Sequence, residues 1–154
     1  MKDLIRKILK EEIGGYRIVD GTEEHFKGIK KITNQHRKEL GFVMQPALRE
    51  AIKRGELKVA LNSEGEVIGF VHWRKRRDGF HKIYEIAVER GWIGSGLGKE
   101  LFNTVPKPRT LKTTIDNERG NEFYRRQGME HKGVEQGRKR KLNIYQDPNT
   151  DGDD

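Results

Sequence analysis

Apolar residues recur along this chain with two periods, one helical and one strand-like, and the changes of period mark its elements. Leu4, Ile5, Ile8, Leu9 and Ile13 share one face at helical spacing, so an amphipathic helix packed on the domain is expected over residues 2–12, ahead of Gly14-Gly15. Tyr16–Asp20 reads as a short strand, and Phe26, Ile29, Ile32, Thr33, His36 and Leu40 trace a second amphipathic helix. Pro46 suits a first helical turn, where its missing N–H costs nothing, and Leu48, Ala51 and Ile52 stripe a helix to about Arg54, closed by Gly55. Leu57–Leu61 and Glu66–Trp73 read as a hairpin turned at Asn62–Gly65, with Arg74–Gly79 the next turn and His81–Val88 the third strand.

Farther on, Leu97, Leu101 and Phe102 mark a helix cut short before Pro106 and Pro108. Leu111–Ile115 is a strand, Glu118–Gln127 a helix capped by Gly128, and Met129–Val134 with Lys139–Tyr145 a closing pair of strands. Residues 147–154 are acidic and lack apolar side chains, as a disordered tail would. The order predicts an α/β (α+β) domain over residues 16–146, a mixed, mostly antiparallel sheet of about six to seven strands with helices on both faces.

Composition narrows the function classes. Hydrophobic residues make up 32% and charged residues 36%, so a compact core under a dense ionic surface is expected. The absence of cysteine excludes disulfides, thiolate metal sites and a cysteine nucleophile, and no histidine–carboxylate spacing suggests a metal site. No apolar run approaches membrane-spanning length and the first ten residues are too interrupted by charge for a signal peptide, so a soluble cytoplasmic protein without membrane contact is expected. A formal net charge of +8 favours anionic partners: a phosphorylated cofactor, nucleic acid or an acidic surface.

The segment from Ile93 through Gly94, Ser95, Gly96, Leu97, Gly98 and Lys99 joins a strand to a helix. Its glycines let the backbone bend and approach a ligand, and a helix starting there aims N–H groups and a positive dipole end at an anion. A tight junction with no ligand has the same pattern. A second motif separates the two readings: Asn117, Phe123, Tyr124 and Gly128, in the spacing Asn-x-x-x-x-x-Phe-Tyr-x-x-x-Gly. Together with the element order, the two segments resemble the GNAT superfamily of acetyl-coenzyme A-dependent N-acetyltransferases over roughly residues 16 to 145. In one respect the chain departs from that family. Ile93 stands three residues before Gly96, where the family has Arg or Gln, and Arg90 is displaced.

The resemblance implies acetyl-coenzyme A as co-substrate, with no metal, and acetyl transfer to a primary amine by direct attack in a ternary complex. Cofactor contacts would come from Ala87, Val88, Arg90, Gly94, Ser95, Gly96, Leu97, Gly98, Lys99, Asn117 and Tyr124, with an N–H near Ala87 and Val88 serving the oxyanion. Tyr124 would be the acid that protonates the leaving thiolate; a buried aromatic is its competing reading, as an ordinary helix cap is for Asn117. Glu85, placed by strand alternation on a face with Ile83 and Ala87, is the candidate base; a salt-bridged glutamate competes, and His72 and His81 are the other bases considered. The acceptor is expected to be a small-molecule or peptide amine, and the protein a monomer or homodimer. The alternatives are a non-catalytic coenzyme A-binding regulatory domain and an enzyme or binder acting on charged transfer RNA through the basic runs Arg74–Arg77 and Arg138–Lys141.

Overall fold

The computed structural model describes residues 15–37 and 45–148. The helix expected over residues 2–12, Leu40, and residues 149–154 of the expected tail lie outside the described residues. The elements are β1 (Tyr16–Asp20), α1 (Phe26–Gln35), α2 (Gln45–Arg54), β2 (Leu57–Asn62), β3 (Val67–Lys75), β4 (His81–Val88), α3 (Leu97–Asn103), β5 (Arg109–Thr114), α4 (Glu118–Arg126), β6 (Glu130–Gln136) and β7 (Lys141–Gln146). Seven strands run in the order β1-β2-β3-β4-β5-β7-β6. β4 and β5 pair in parallel, while β1 with β2, β2 with β3, β5 with β7 and β6 with β7 are antiparallel, the mixed sheet that the hydrophobic pattern predicts.

Several ends differ from the pattern, and two of them because backbone pairing outlasts the apolar run. β3 enters the expected turn as far as Lys75, and the turn itself is closed by the Arg76 N–H donating to the Phe80 carbonyl at 2.8 Å. β5 begins at Arg109 because His81–Ile83 of β4 pairs with Arg109–Leu111. The closing strands are displaced to Glu130–Gln136 and Lys141–Gln146, with Arg138–Arg140 in their turn.

The described residues form two compact units. One holds those up to Trp73 together with Glu85–Thr104; the other holds Arg74–Tyr84 and those from Val105 onward. In the first unit, Ile29 and Ile32 of α1 and Leu48 and Ala51 of α2 bury against Val59, Leu61 and Phe70, each such burial stabilising by about 1.5–3 kcal/mol for the larger side chains. Val59 pairs with Phe70 but Leu61 with Val67, one residue beyond regular register, so a bulge returns Val67 to the helix side. There α1 comes close: a Cβ on Gly28 would stand 2.5 Å from that of Val67. The opposite face takes α3. Ala60 and Gly69, paired and small, admit Leu97 and Leu101, and a Cβ on Gly69 would lie 2.9 Å from Leu101.

In the second unit, Leu111 and Tyr145 are paired and buried. Asp147 corrects the expected tail. Its carboxylate accepts from the Arg109 N–H at 2.6 Å and from the Arg109 guanidinium at 2.9 Å on both oxygens, and both side chains are buried. An acidic residue beside a strand end looks like solvent-exposed tail until a buried arginine claims it.

Candidate active site

The glycine segment belongs to the first unit and is anchored through the residues that lead into it. The Glu89 carboxylate accepts from the Gly91 N–H at 2.9 Å, capping the short 3-10 turn Arg90–Trp92, and the Trp92 ring meets Tyr16 edge-on at 5.6 Å. α1 supplies a second anchor. The Arg90 N–H donates to the Gln35 side-chain oxygen and its guanidinium to the Gln35 carbonyl, each at 3.1 Å, and the His36 ring lies 2.8 Å from the Val88 carbonyl. Arg90, expected on the cofactor phosphates, is therefore engaged at the C-terminal end of α1, where the exposed carbonyls of a helix attract a cation.

Gly94 and Gly96 have φ of +84° and +90°, which a side chain would strain, and a Cβ on either would meet nothing within 4 Å. The backbone is thus bent and open to approach. Gly96 is the N-cap of α3, and the Gly98 and Lys99 amides fall in its first turn, where helix geometry supplies no acceptor four residues back. Ser95, exposed, bonds back onto its own loop: its hydroxyl donates to the Trp92 carbonyl at 2.5 Å and accepts from the Leu97 N–H at 3.3 Å. Ile93, at the position where Arg or Gln is expected, is exposed. An open cleft of about 560 Å³ runs beside the helix, lined by Ile18, Gly96, Lys99, Glu100, Asn103 and Thr104. At its edge, burial and then a hydrogen bond to Glu100 push the Tyr16 phenol above its ordinary pKa.

Glu85 and His72, named separately in the sequence, are brought together. The Glu85 carboxylate lies 2.5 Å from His72 Nδ1, and the two side chains are 15% and 8% exposed. Glu85 thus has a specific side-chain partner, and a carboxylate beside an imidazole holds the ring in one orientation. His81 is elsewhere, in the second unit, with its ring 3.3 Å from the Pro108 carbonyl.

The second unit holds Asn117 and Tyr124 on α4. Asn117 caps the helix, accepting from the Gly120 N–H at 3.1 Å and donating to the Thr113 hydroxyl at 3.2 Å. Tyr124 is partly buried, its ring 5.3 Å from Phe123 and 5.9 Å from Tyr145, and burial pushes its phenol above the ordinary value. The residue that organises this region was not among those singled out. Asn121 is buried; its amide donates to the carbonyls of Thr114 and Asn117 at 3.0 and 2.8 Å, and its oxygen accepts from Tyr145 and Asn143, both at 2.8 Å. His131 extends the chain, with Nε2 2.8 Å from the Asn143 side-chain oxygen. The available signal was spacing: Asn121 lies one turn after Asn117 and one before Tyr124, on the inward face of a hydrophilic helix.

A family model described as an acetyltransferase (GNAT) domain matches residues 53–130, half of the chain. No curated protein matches the sequence. Among solved structures, an Arabidopsis thaliana Naa50 complexed with a bisubstrate analogue, CoA-Ac-MVNAL, superposes with a TM-score of 0.69 at 17% identity, covering 88% of this chain and 99% of that one. Ard1 from Thermoplasma volcanium gives 0.75 at 15% identity with the same coverages. The ribosomal-protein-S18-alanine N-acetyltransferase from Escherichia coli gives 0.68 at 15%, covering 86% and 93%. At these identities the likeness is one of fold. No helix among the described residues is long and apolar enough to cross a membrane.

Proposed function

This chain belongs to the GNAT acetyltransferase family, and from that premise we propose that it moves acetyl from acetyl-coenzyme A to a primary amine by direct attack, with no covalent enzyme intermediate. The glycine segment is proposed to hold the pyrophosphate of the co-substrate. Its fit rests on open space at Gly94 and Gly96, first-turn amides at Gly98 and Lys99, and the Lys99 ammonium. Backbone donors replace the side chain that Ile93 lacks. Ala87 and Val88 supply main-chain groups on the preceding strand, and Asn117, which caps α4, shapes the backbone before Tyr124.

The observation that carries the chemical reading is the Glu85–His72 pair. An amine acceptor arrives as an ammonium, with a pKa of roughly 8–10, and must lose a proton before its lone pair can attack. Glu85 and His72 take that proton as a coupled pair. The new C–N bond forms as the carbonyl oxygen gains charge; collapse breaks the C–S bond, the thiolate takes a proton from Tyr124, and the second proton of the now cationic nitrogen restores the phenol, leaving a neutral amide and a free thiol. Because burial raises the Tyr124 pKa, the phenol stays protonated at neutral pH. It is then a weaker acid than the thiol it forms, so the transfer must accompany C–S cleavage.

Peptide amino termini are the first acceptors to test, given the acceptors named for the structures of like fold. The test is thiol release from acetyl-coenzyme A across a peptide and small-amine panel, for the protein and for Glu85→Gln. The variant should lose about 10²-fold in kcat/KM near pH 7 and recover much of it towards the acceptor's own pKa, where no base is needed. A pH-independent defect would refute the base assignment.

A further inference from the structure

The positive charge of this protein is concentrated in one of its two units. Among the described residues, Arg74–Tyr84 and 105–148 hold sixteen lysines and arginines against seven aspartates and glutamates. The other unit holds eleven against ten. Five of the seven acids form ion pairs, with Arg76, Arg109, Lys112, Arg126 and Lys132, and the unit keeps an excess of nine cations.

The register places much of that surplus along one sheet face. Leu111 and Tyr145 are paired and buried on the side of Asn121, so Lys112 and its partner Ile144 point the opposite way. Lys82 lies on that second face with Tyr84, its ammonium 5.1 Å from the Tyr84 ring. Tyr84 is 45% exposed. Burial, then repulsion from Lys112 and Arg76, hold Lys82 below its usual pKa, while Glu135 opposes the shift. The Arg74–Arg77 turn precedes β4, and the exposed Arg138–Lys141 turn follows β6. β5 begins against His81 and ends against Leu142, next to Lys141, so the two basic turns cap opposite ends of a face about 20 Å long.

We propose that this face, from the Arg74–Arg77 turn past Lys82, Tyr84 and Lys112 to the Arg138–Lys141 turn, binds RNA through its phosphates, with a base stacked on Tyr84. A phosphate chain matches cations spread along a line. Five of the eight basic residues in the two turns are arginines, whose planar forks grip phosphate oxygens. An exposed ring flanked by cations is the element a single strand needs for stacking. An acidic peptide shares the charge but not the use of the ring.

The inference does not rest on the acetyl-transfer reading, and its test omits acetyl-coenzyme A. The probe is a fluorescein-labelled U20 RNA, read by anisotropy with the full chain between 50 and 300 mM KCl. Affinity should fall with salt at a log–log slope of about −3, about four phosphates at −0.7 each. Arg138→Glu with Arg140→Glu should weaken binding at least tenfold and flatten that slope. Tyr84→Ala should weaken it about tenfold, with the slope kept. The control Lys27→Glu with Lys30→Glu makes the same change in net charge on exposed positions of α1 and should stay within twofold. Absence of binding at 50 mM KCl, or equal weakening by the α1 control, overturns the proposal. Competition by polyglutamate as strong as by unlabelled RNA also overturns it, in favour of an acidic peptide.

Discussion

Two carboxylates show how far a residue's role depends on what the fold sets beside it. Asp147 is compositionally part of an acidic tail, yet it is buried with three hydrogen bonds to Arg109. Asp147→Ala would strand the guanidinium without its partner, at a cost of about 3–5 kcal/mol. Urea unfolding should therefore show a large drop in midpoint, and an exposed acid such as Glu64 should show almost none. Glu85 stands out in the sequence as a candidate base, but its partner does not. Strand alternation suggested where it pointed, but its pairing with His72 depends on how two strands align across the Arg76–Phe80 turn, which no local pattern encodes. Asn121 was harder still, because an asparagine in the run Glu118–Arg126 looks like surface. It is buried at low cost only because its oxygen and amide are satisfied by Tyr145, Asn143 and two backbone carbonyls.

At the scale of elements, the strands and helices were readable because one period or the other dominates each segment, and Gly55 and Gly128 punctuate the helix ends. Boundaries were not. β3 and β5 run past their apolar residues since a strand continues while its neighbour offers backbone partners, as Arg109 does opposite His81. The glycine segment was legible for a backbone reason: Gly94 and Gly96 occupy the left-handed region. What holds it was not, because Gln35, His36 and Tyr16 are distant in sequence from the loop they clamp. Gly96→Ala should cost about 1–2 kcal/mol of stability through strain at φ +90°. By distorting the α3 N-terminus it should also raise the KM for acetyl-coenzyme A severalfold with a smaller change in kcat. Steady-state kinetics with co-substrate varied would check this, and an unchanged KM would separate the loop from co-substrate binding.

For the whole molecule, one family supplies the fold while this chain's own residues supply the variations: Ile93 in place of a side-chain donor, Arg90 on α1, and a charge surplus in one unit. The proposed reaction asks the backbone to hold the co-substrate, Glu85 and His72 to take a proton, and Tyr124 to return one to the thiolate. The most direct test is thiol release from acetyl-coenzyme A with a peptide acceptor, measured for the protein and for Tyr124→Phe alongside calorimetric binding of acetyl-coenzyme A. The account predicts turnover by the protein, a loss of about 10²-fold in kcat for the variant, and co-substrate binding retained in both. Tight binding without thiol release to any acceptor, or full activity in Tyr124→Phe, would contradict it.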